Sequence, residues 1–184
     1  MLSELRITNL GVIAEADLEL HPGFTVVTGE TGAGKTMVVS SLQLLTGQRA
    51  DSSQVRNTAD EDISEARVEG RFYVDGLPDE LAHQTSELLA GCGAETDDDE
   101  SIIALRTIRS DGRSRAHLGG RSVPAGILAE FSRPLLTIHG QHDQLRLLSS
   151  AQQREALDQY GGDEILSLIL ISEPTRRPPL AYAG

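Results

Sequence analysis

Gly29-Glu30-Thr31-Gly32-Ala33-Gly34-Lys35-Thr36 is the stretch that decides the fold of this chain. It matches G-x-x-x-x-G-K-[ST] at every fixed position. Each fixed position has a physical reason. Glycines let successive backbone N–H groups curl around phosphate oxygens where a Cβ would clash. A helix opening at Lys35 would add the partial positive charge of its N-terminus. The Lys35 ammonium is placed to reach the β- and γ-phosphates, and the Thr36 hydroxyl to ligate a Mg²⁺ that bridges them. The candidate nucleotide-binding residues are therefore Gly29, Glu30, Thr31, Gly32, Ala33, Gly34, Lys35 and Thr36, with Thr36 also a metal ligand. The alternative is a chance glycine-rich turn, and the flanking sequence argues against it.

Phe24–Thr28 is a short continuous apolar run, the pattern of a strand buried on both faces of a parallel sheet. Lys35–Thr46 carries Val38, Leu42 and Leu45 on one side and is closed by Gly47, so a helix is predicted there. Upstream, Leu5 and Ile7 alternate with polar neighbours, as do Ala14, Ala16, Leu18 and Leu20. That predicts two edge-type strands, an antiparallel pair placed ahead of the loop. Downstream, residues 48–63 read as a polar loop. Glu65–Val74 alternates as a strand, Pro78–Ala90 reads as a helix, and Gly91–Ser101 as a solvated loop. Ile102–Arg109 and Arg113–Leu118 form a predicted hairpin across Asp111-Gly112, a type I′ signal. Pro124–Phe131 is a short helix, Leu135–Ile138 a second buried strand, and Ser150–Tyr160 a helix with a capping box.

Composition narrows the function. The chain has 184 residues with 16 basic against 28 acidic side chains, a net charge of -12. A chain that grips nucleic acid unaided shows the opposite balance, so any DNA contact is local or supplied elsewhere. Fifteen of the basic residues are arginine and the one lysine is Lys35, inside the loop. Lysine and arginine are not interchangeable where a compact ammonium is wanted. One cysteine, Cys92, excludes an intrachain disulfide and a cysteine-cluster metal site, and it has no visible base. No apolar run approaches a membrane span, and the N-terminus lacks the pattern of a signal peptide. A reducing cytoplasm fits.

The antiparallel pair before the loop argues against a small GTPase and fits the ATP-binding-cassette ATPases, whose nucleotide lobe carries an extra antiparallel sheet. Four blocks then carry a specific resemblance. LRITNLGVIAEADLELHPGFTVVTGETGAGKT, Gly47–Ser53, Gly112-Arg113-Ser114-Arg115-Ala116 and IHGQHDQ (residues 138–144) resemble, in this order, the RecN family of bacterial DNA-repair proteins, which are SMC-like ATPases. The resemblance covers residues 2–162. It implies an α/β P-loop NTPase of the ABC/SMC type, a head lobe with an additional antiparallel β-subdomain. It also implies ATP and Mg²⁺ as ligands, head-to-head homodimers around ATP, and double-strand-break repair by recombination on DNA in the bacterial nucleoid, without a membrane. Gln141 takes the role of a metal-sensing and water-orienting glutamine. The last block lacks one residue of the family spelling before its second glutamine, Gln144. The open alternatives are a non-catalytic nucleotide-binding module and another cassette-type lobe.

His139 and His142 with Asp143 supply too few ligands for a metal site and read as shaping the loop near the γ-phosphate. Arg56 stands where related heads carry an arginine that approaches nucleotide or DNA, and reads equally as a surface arginine. Arg113, Arg115 and Arg121 form the basic cluster, a partner contact or an exposed strand face. The signature turn and acidic Walker-B strand of the class are missing: no S-G-G occurs, and Leu168–Glu173 has Ser172 where aspartate belongs. Residues 1–162 thus read as the N-terminal part of an ATPase head, and residues 163–184 as a non-native-looking or disordered tail. Leu166–Arg176 resembles a translated sequencing adapter, with a divergent linker as the alternative. Removing residues 166–184 is expected to leave the melting temperature unchanged; a clear fall would show that the apolar run packs.

Overall fold

A computed structural model describes residues 1–30, 32, 34–57 and 64–138. Six strands form one antiparallel sheet: β1 (Leu2–Leu10), β2 (Ile13–Glu19), β3 (Glu65–Tyr73), β4 (Ser101–Arg109), β5 (Ser114–Leu118) and β6 (Arg121–Val123). Their order is β2-β1-β3-β4-β5-β6. Alternation explains the faces. Leu5 and Ile7 on β1 pair with Gly70 and Val68 on β3, which pair with Ala104 and Arg106 on β4. Ala104 and Arg106 in turn oppose Leu118 and Ala116 on β5. Apart from Arg106, these positions form an aliphatic inner face, while Arg67, Glu69 and Arg71 fall on the other side.

Among the described residues three helices accompany the sheet: α1 (Lys35–Leu45), α2 (Asp79–Cys92) and α3 (Ala125–Ser132). α1 buries Ser41, Leu44 and Leu45, and α3 buries Leu128, Phe131 and Ser132. Phe131 meets Phe72 of β3 edge to face, with ring centroids 5.4 Å apart. α2 begins after Pro78 with Asp79 and Glu80 in its first turn, where the helix dipole favours acids, and ends at a left-handed Gly93.

Two glycines let these layers close. A Cβ on Gly70 would stand 2.7 Å from Leu45 Cδ1. Gly47, at φ +75°, abuts α3: its Cβ would lie 2.5 Å from the Ala125 carbonyl oxygen and 2.6 Å from Ala129 Cβ. The inner face holds one charge. Arg106 is 5% exposed, donates from Nη2 to Ser114 Oγ at 3.1 Å, and leaves Nε without a partner. Burial lowers its pKa.

Several expectations need correction. Phe24–Thr28 forms no strand; Phe24 is 88% and Val26 60% exposed. A buried parallel strand needs hydrogen-bonding neighbours, and the described residues offer this segment none. Leu135–Ile138 likewise follows α3 as a turn and irregular chain. The Asp111-Gly112 connection is a three-residue loop: Gly112 N–H donates to Arg109 O at 3.0 Å, and only Gly112 has positive φ. That is a type I turn with a left-handed glycine bulge, not type I′. The two-residue turn with both φ positive lies at Gly119-Gly120, where Leu118 pairs with Arg121 and β6 begins. The predicted helix at 150–160 lies outside the described residues.

Gly47→Ala should therefore cost about 2–4 kcal/mol, since it combines left-handed strain with a backbone clash. Urea denaturation checks this, and a loss below about 0.5 kcal/mol would show that the α1–α3 contact gives way freely.

Candidate nucleotide-binding site

Helix α1 opens at the loop. Its N-cap is Gly34, at φ 93°, and no side chain caps it. A Cβ on Gly34 would come within 3.1 Å of Ile13 Cγ1 and 3.3 Å of Cδ1. Glycine is thus required twice, for the left-handed backbone and for the close approach of β2. Gly32 is also left-handed, at φ 91°. The first turn of α1 carries no acidic residue, so nothing in it opposes an anion at the helix N-terminus.

Lys35 closes the loop on itself. Its ammonium donates to the carbonyl oxygen of Gly29 and, at 2.7 Å, to that of Glu30. These bonds place the one lysine of the chain across the loop rather than out in solvent. Thr36 is exposed at the following position.

The loop forms one wall of a cavity of about 440 Å³, lined by Gly32, Gly34, Lys35 and Thr36. Gly11, Val12, Ser53 and Gln54 form another wall. That wall joins the β1–β2 turn to a short 3-10 turn, Ser52–Gln54. Gly11 N–H donates to Gln54 O at 2.7 Å, Arg56 N–H to Asn9 O at 2.9 Å, and Arg56 Nη1 to Val12 O at 2.8 Å. Leu10 and Val55 add a bridge. Asp51 Oδ1 accepts from Ser53 N–H at 2.9 Å, which caps the turn and holds the Asp51 carboxyl below its ordinary pKa. Sequence reading pointed to neither Gly11, Val12, Ser53 nor Gln54. Only Gly11, through its turn, left a local signal.

The remaining candidates sort as follows. Arg56 is neither a free surface arginine nor a cavity-lining group; it staples the second wall. Arg113 and Arg121 lie at opposite ends of β5. Arg113 is within 3.8 Å of Asp111, while Arg121 pairs with Glu95 at 3.2 Å and donates to Gly93 O at 2.9 Å. The acidic run after α2 is organised rather than merely solvated. Arg71 reaches Asp97 at 3.3 Å and Asp99 at 3.4 Å. Asp99 accepts from Ser101 Oγ at 2.6 Å and Tyr73 Oη at 3.1 Å, and these bonds, that from Ser101 first, hold its carboxyl below the usual range. Cys92 is a free thiol donating to Leu89 O at 3.4 Å. Thr31, Ala33, His139, Gln141, His142 and Gln144 lie outside the described residues. Among the described residues no group of His, Cys, Asp and Glu could hold a metal ion by itself, and no helix is long and apolar enough to cross a membrane.

Comparison with known proteins places this geometry in context. A solved structure described under ATP-driven dimerization and DNA-stimulated activation of SMC ATPases superposes with a TM-score of 0.58 at 16% identity, covering 85% of this chain and 97% of its own. The recombination mediator RecF bound to ATP superposes with a TM-score of 0.54 at 15% identity, covering 86% and 38%. The fold is that of the SMC and RecF ATPase heads. The DNA repair protein RecN of Mycobacterium tuberculosis (strain H37Rv) is 54% identical over 160 residues, 87% of this chain. The chain spans about a quarter of the length of the curated relatives it matches. A family model described as an AAA domain matches residues 4–160. Matched across most of its length, the chain belongs to this AAA-domain family, and the RecN DNA repair proteins are among its relatives.

Proposed function

We propose that this chain is the ATP-binding head portion of a RecN-type protein acting in recombinational repair of DNA double-strand breaks. The observation that carries the proposal is the left-handed Gly34 at the uncapped N-terminus of α1, with Lys35 folded across the loop beside it. A backbone bend of this kind beside a helix N-terminus suits an anion, and a lysine at that spot suits a polyphosphate. The similarity to RecN, to an SMC ATPase and to ATP-bound RecF supports the same reading.

In this reading Gly29–Thr36 cradle the triphosphate. Lys35 turns from the loop carbonyls toward the β- and γ-phosphates. Thr36, exposed on the cavity wall, is a hard oxygen donor that fits Mg²⁺ and would hold it. A bound Mg²⁺ would neutralise charge on the bridging phosphate oxygens. Gln141 orients the attacking water; a carboxamide donates and accepts without taking the proton. Head-to-head pairing around ATP and contact with DNA belong to the longer protein.

Binding and turnover separate in this chain. None of the described residues lining the cavity is a carboxylate, so none of them polarises a water or completes a metal site. Losing one such positioned group costs about 10²–10³-fold in rate. Lys35→Ala should abolish ATP binding by calorimetry while circular dichroism stays unchanged. Phosphate release by the unaltered chain should stay near the Lys35→Ala blank. Equal ATP affinity in the variant would sink the phosphate-loop reading, and turnover rising steeply with protein concentration would show that a complete site assembles.

A further inference from the structure

Ile13 stands behind the phosphate loop without entering it. Among the described residues the β1–β2 turn lines the cavity with Gly11 and Val12, and not with Ile13. Ile13 is partly buried, packs against the core and pairs with Leu10 across the turn. Its Cγ1 and Cδ1 lie 3.1 and 3.3 Å from the point where a Cβ on Gly34 would stand, and Val12 Cγ2 lies 3.6 Å from that point. The turn also meets the first turn of α1 at a second place, because a Cβ on Gly11 would run into Met37 Sδ. It is held in turn from its far side: Arg56 Nη1 donates to Val12 O at 2.8 Å, and Gly11 N–H to Gln54 O at 2.7 Å. Gly34 itself has little else to fix its direction. It is left-handed at φ 93°, and no side chain caps the helix it opens. Its carbonyl accepts the first helical bond, from Val38 N–H at 3.1 Å, so the Gly34 peptide and the first turn of α1 orient together.

We infer that Ile13 is a positioning residue for phosphate binding: its side chain props Gly34 from behind and so sets where the free N–H groups of the first turn of α1 point. The inference rests on the phosphate-loop reading above. Glycine has the widest backbone freedom of any residue, and an unsupported glycine hinge beside a helix N-terminus would let the donors swing. Isoleucine suits the task of stopping it. It is β-branched and stiff at χ1, so the surface it presents does not yield as a longer, more flexible side chain would. Donors held in place before the anion arrives bind it more tightly, because the cost of ordering them is already met. Ile13 touches no phosphate in this arrangement; it acts through Gly34.

The test is calorimetry with ATP and inorganic triphosphate on the unaltered chain, Ile13→Ala, Ile13→Val, Leu18→Ala and Lys35→Ala, with the melting temperature of each. Ile13→Ala removes both atoms that face Gly34 and should weaken ATP and inorganic triphosphate alike, by about tenfold. Ile13→Val keeps Cγ1 and the β-branch, and should restore both affinities to within about twofold of the unaltered chain. Leu18→Ala lies on the same strand and against the same core. It should lower the melting temperature and leave both affinities unchanged. If Ile13→Ala fails to fold, Ile13→Leu gives the reading: it keeps the volume, loses the β-branch, and should bind both ligands more weakly than Ile13→Val. Unchanged affinity in Ile13→Ala, or in Ile13→Leu where that variant is the one read, would overturn the role of Ile13. So would a loss for ATP without a loss for inorganic triphosphate, which would place Ile13 against the nucleoside, and so would an equal loss in Leu18→Ala, which would reduce the effect to general destabilisation. In each of those cases Lys35→Ala still abolishes binding. ATP binding undiminished in Lys35→Ala would instead remove the phosphate-loop reading and this inference with it.

Discussion

Leu45 lies where a side chain at residue 70 would lie, and the position of α1 follows from that contact. A helix can approach a sheet this closely only over a residue without a Cβ. The same device recurs at both ends of α1. At its C-terminus Gly47 admits the backbone of α3, and at its N-terminus Gly34 admits Ile13 of β2. Gly11, whose Cβ would stand 2.4 Å from Met37 Sδ, adds a fourth such contact, so four missing side chains set the position of α1. The consequence is functional as well as structural. An anion site at a helix N-terminus is only as well aimed as the helix itself, because its donors are backbone N–H groups with no freedom of their own. The antiparallel sheet, which contributes no residue to the loop, thus sets where the loop points.

The second wall is built by a different economy. Asn9, Gly11 and Val12 are joined to Gln54 and Arg56 through backbone groups and one arginine, and the Leu10–Val55 bridge ties this wall to the buried core. Such a wall holds its shape while tolerating change in what its side chains present.

Much of this was legible in the sequence, for reasons that differ by element. β3 was plain because Ala66, Val68, Gly70 and Phe72 alternate against charged neighbours, and one buried face imposes that period. The helix α1 was plain from its loop and its apolar spacing. Phe24–Thr28 departs from its sequence pattern for a physical reason. A run such as Phe-Thr-Val-Val reports that both faces are meant to be covered, but it does not say by what. Among the described residues Val26 stays 60% and Val27 44% exposed, and no ladder forms. The Asp111-Gly112 turn is ambiguous in sequence because Asp-Gly suits both a type I′ turn and a glycine bulge, and loop length decides between them. β6 has three residues and no room for a period. Arg106 sits at a position in β4 where alternation calls for an apolar residue, between Ala104 and Ile108. Contacts at residues 51–56 depend on tertiary docking, which no local pattern announces.

The acidity of the chain conflicts with a polyphosphate site only if charge is counted without being located. Glu15, Asp17 and Glu19 line the outer strand β2, where charge also blocks edge-to-edge pairing with another chain. Asp17 is held by Arg6 at 2.7 Å, Asp97 and Asp99 by Arg71, and Glu95 by Arg121. Arginine, which makes planar forked pairs, is spent on these surface networks, and the one lysine is kept for the loop. No carboxylate lines the described part of the cavity. A net charge of -12 slows the approach of an anion from far away, but that effect is screened within about 10 Å in ordinary salt. Inside that distance the field is set by the N-terminus of α1 and the Lys35 ammonium, and both favour phosphate.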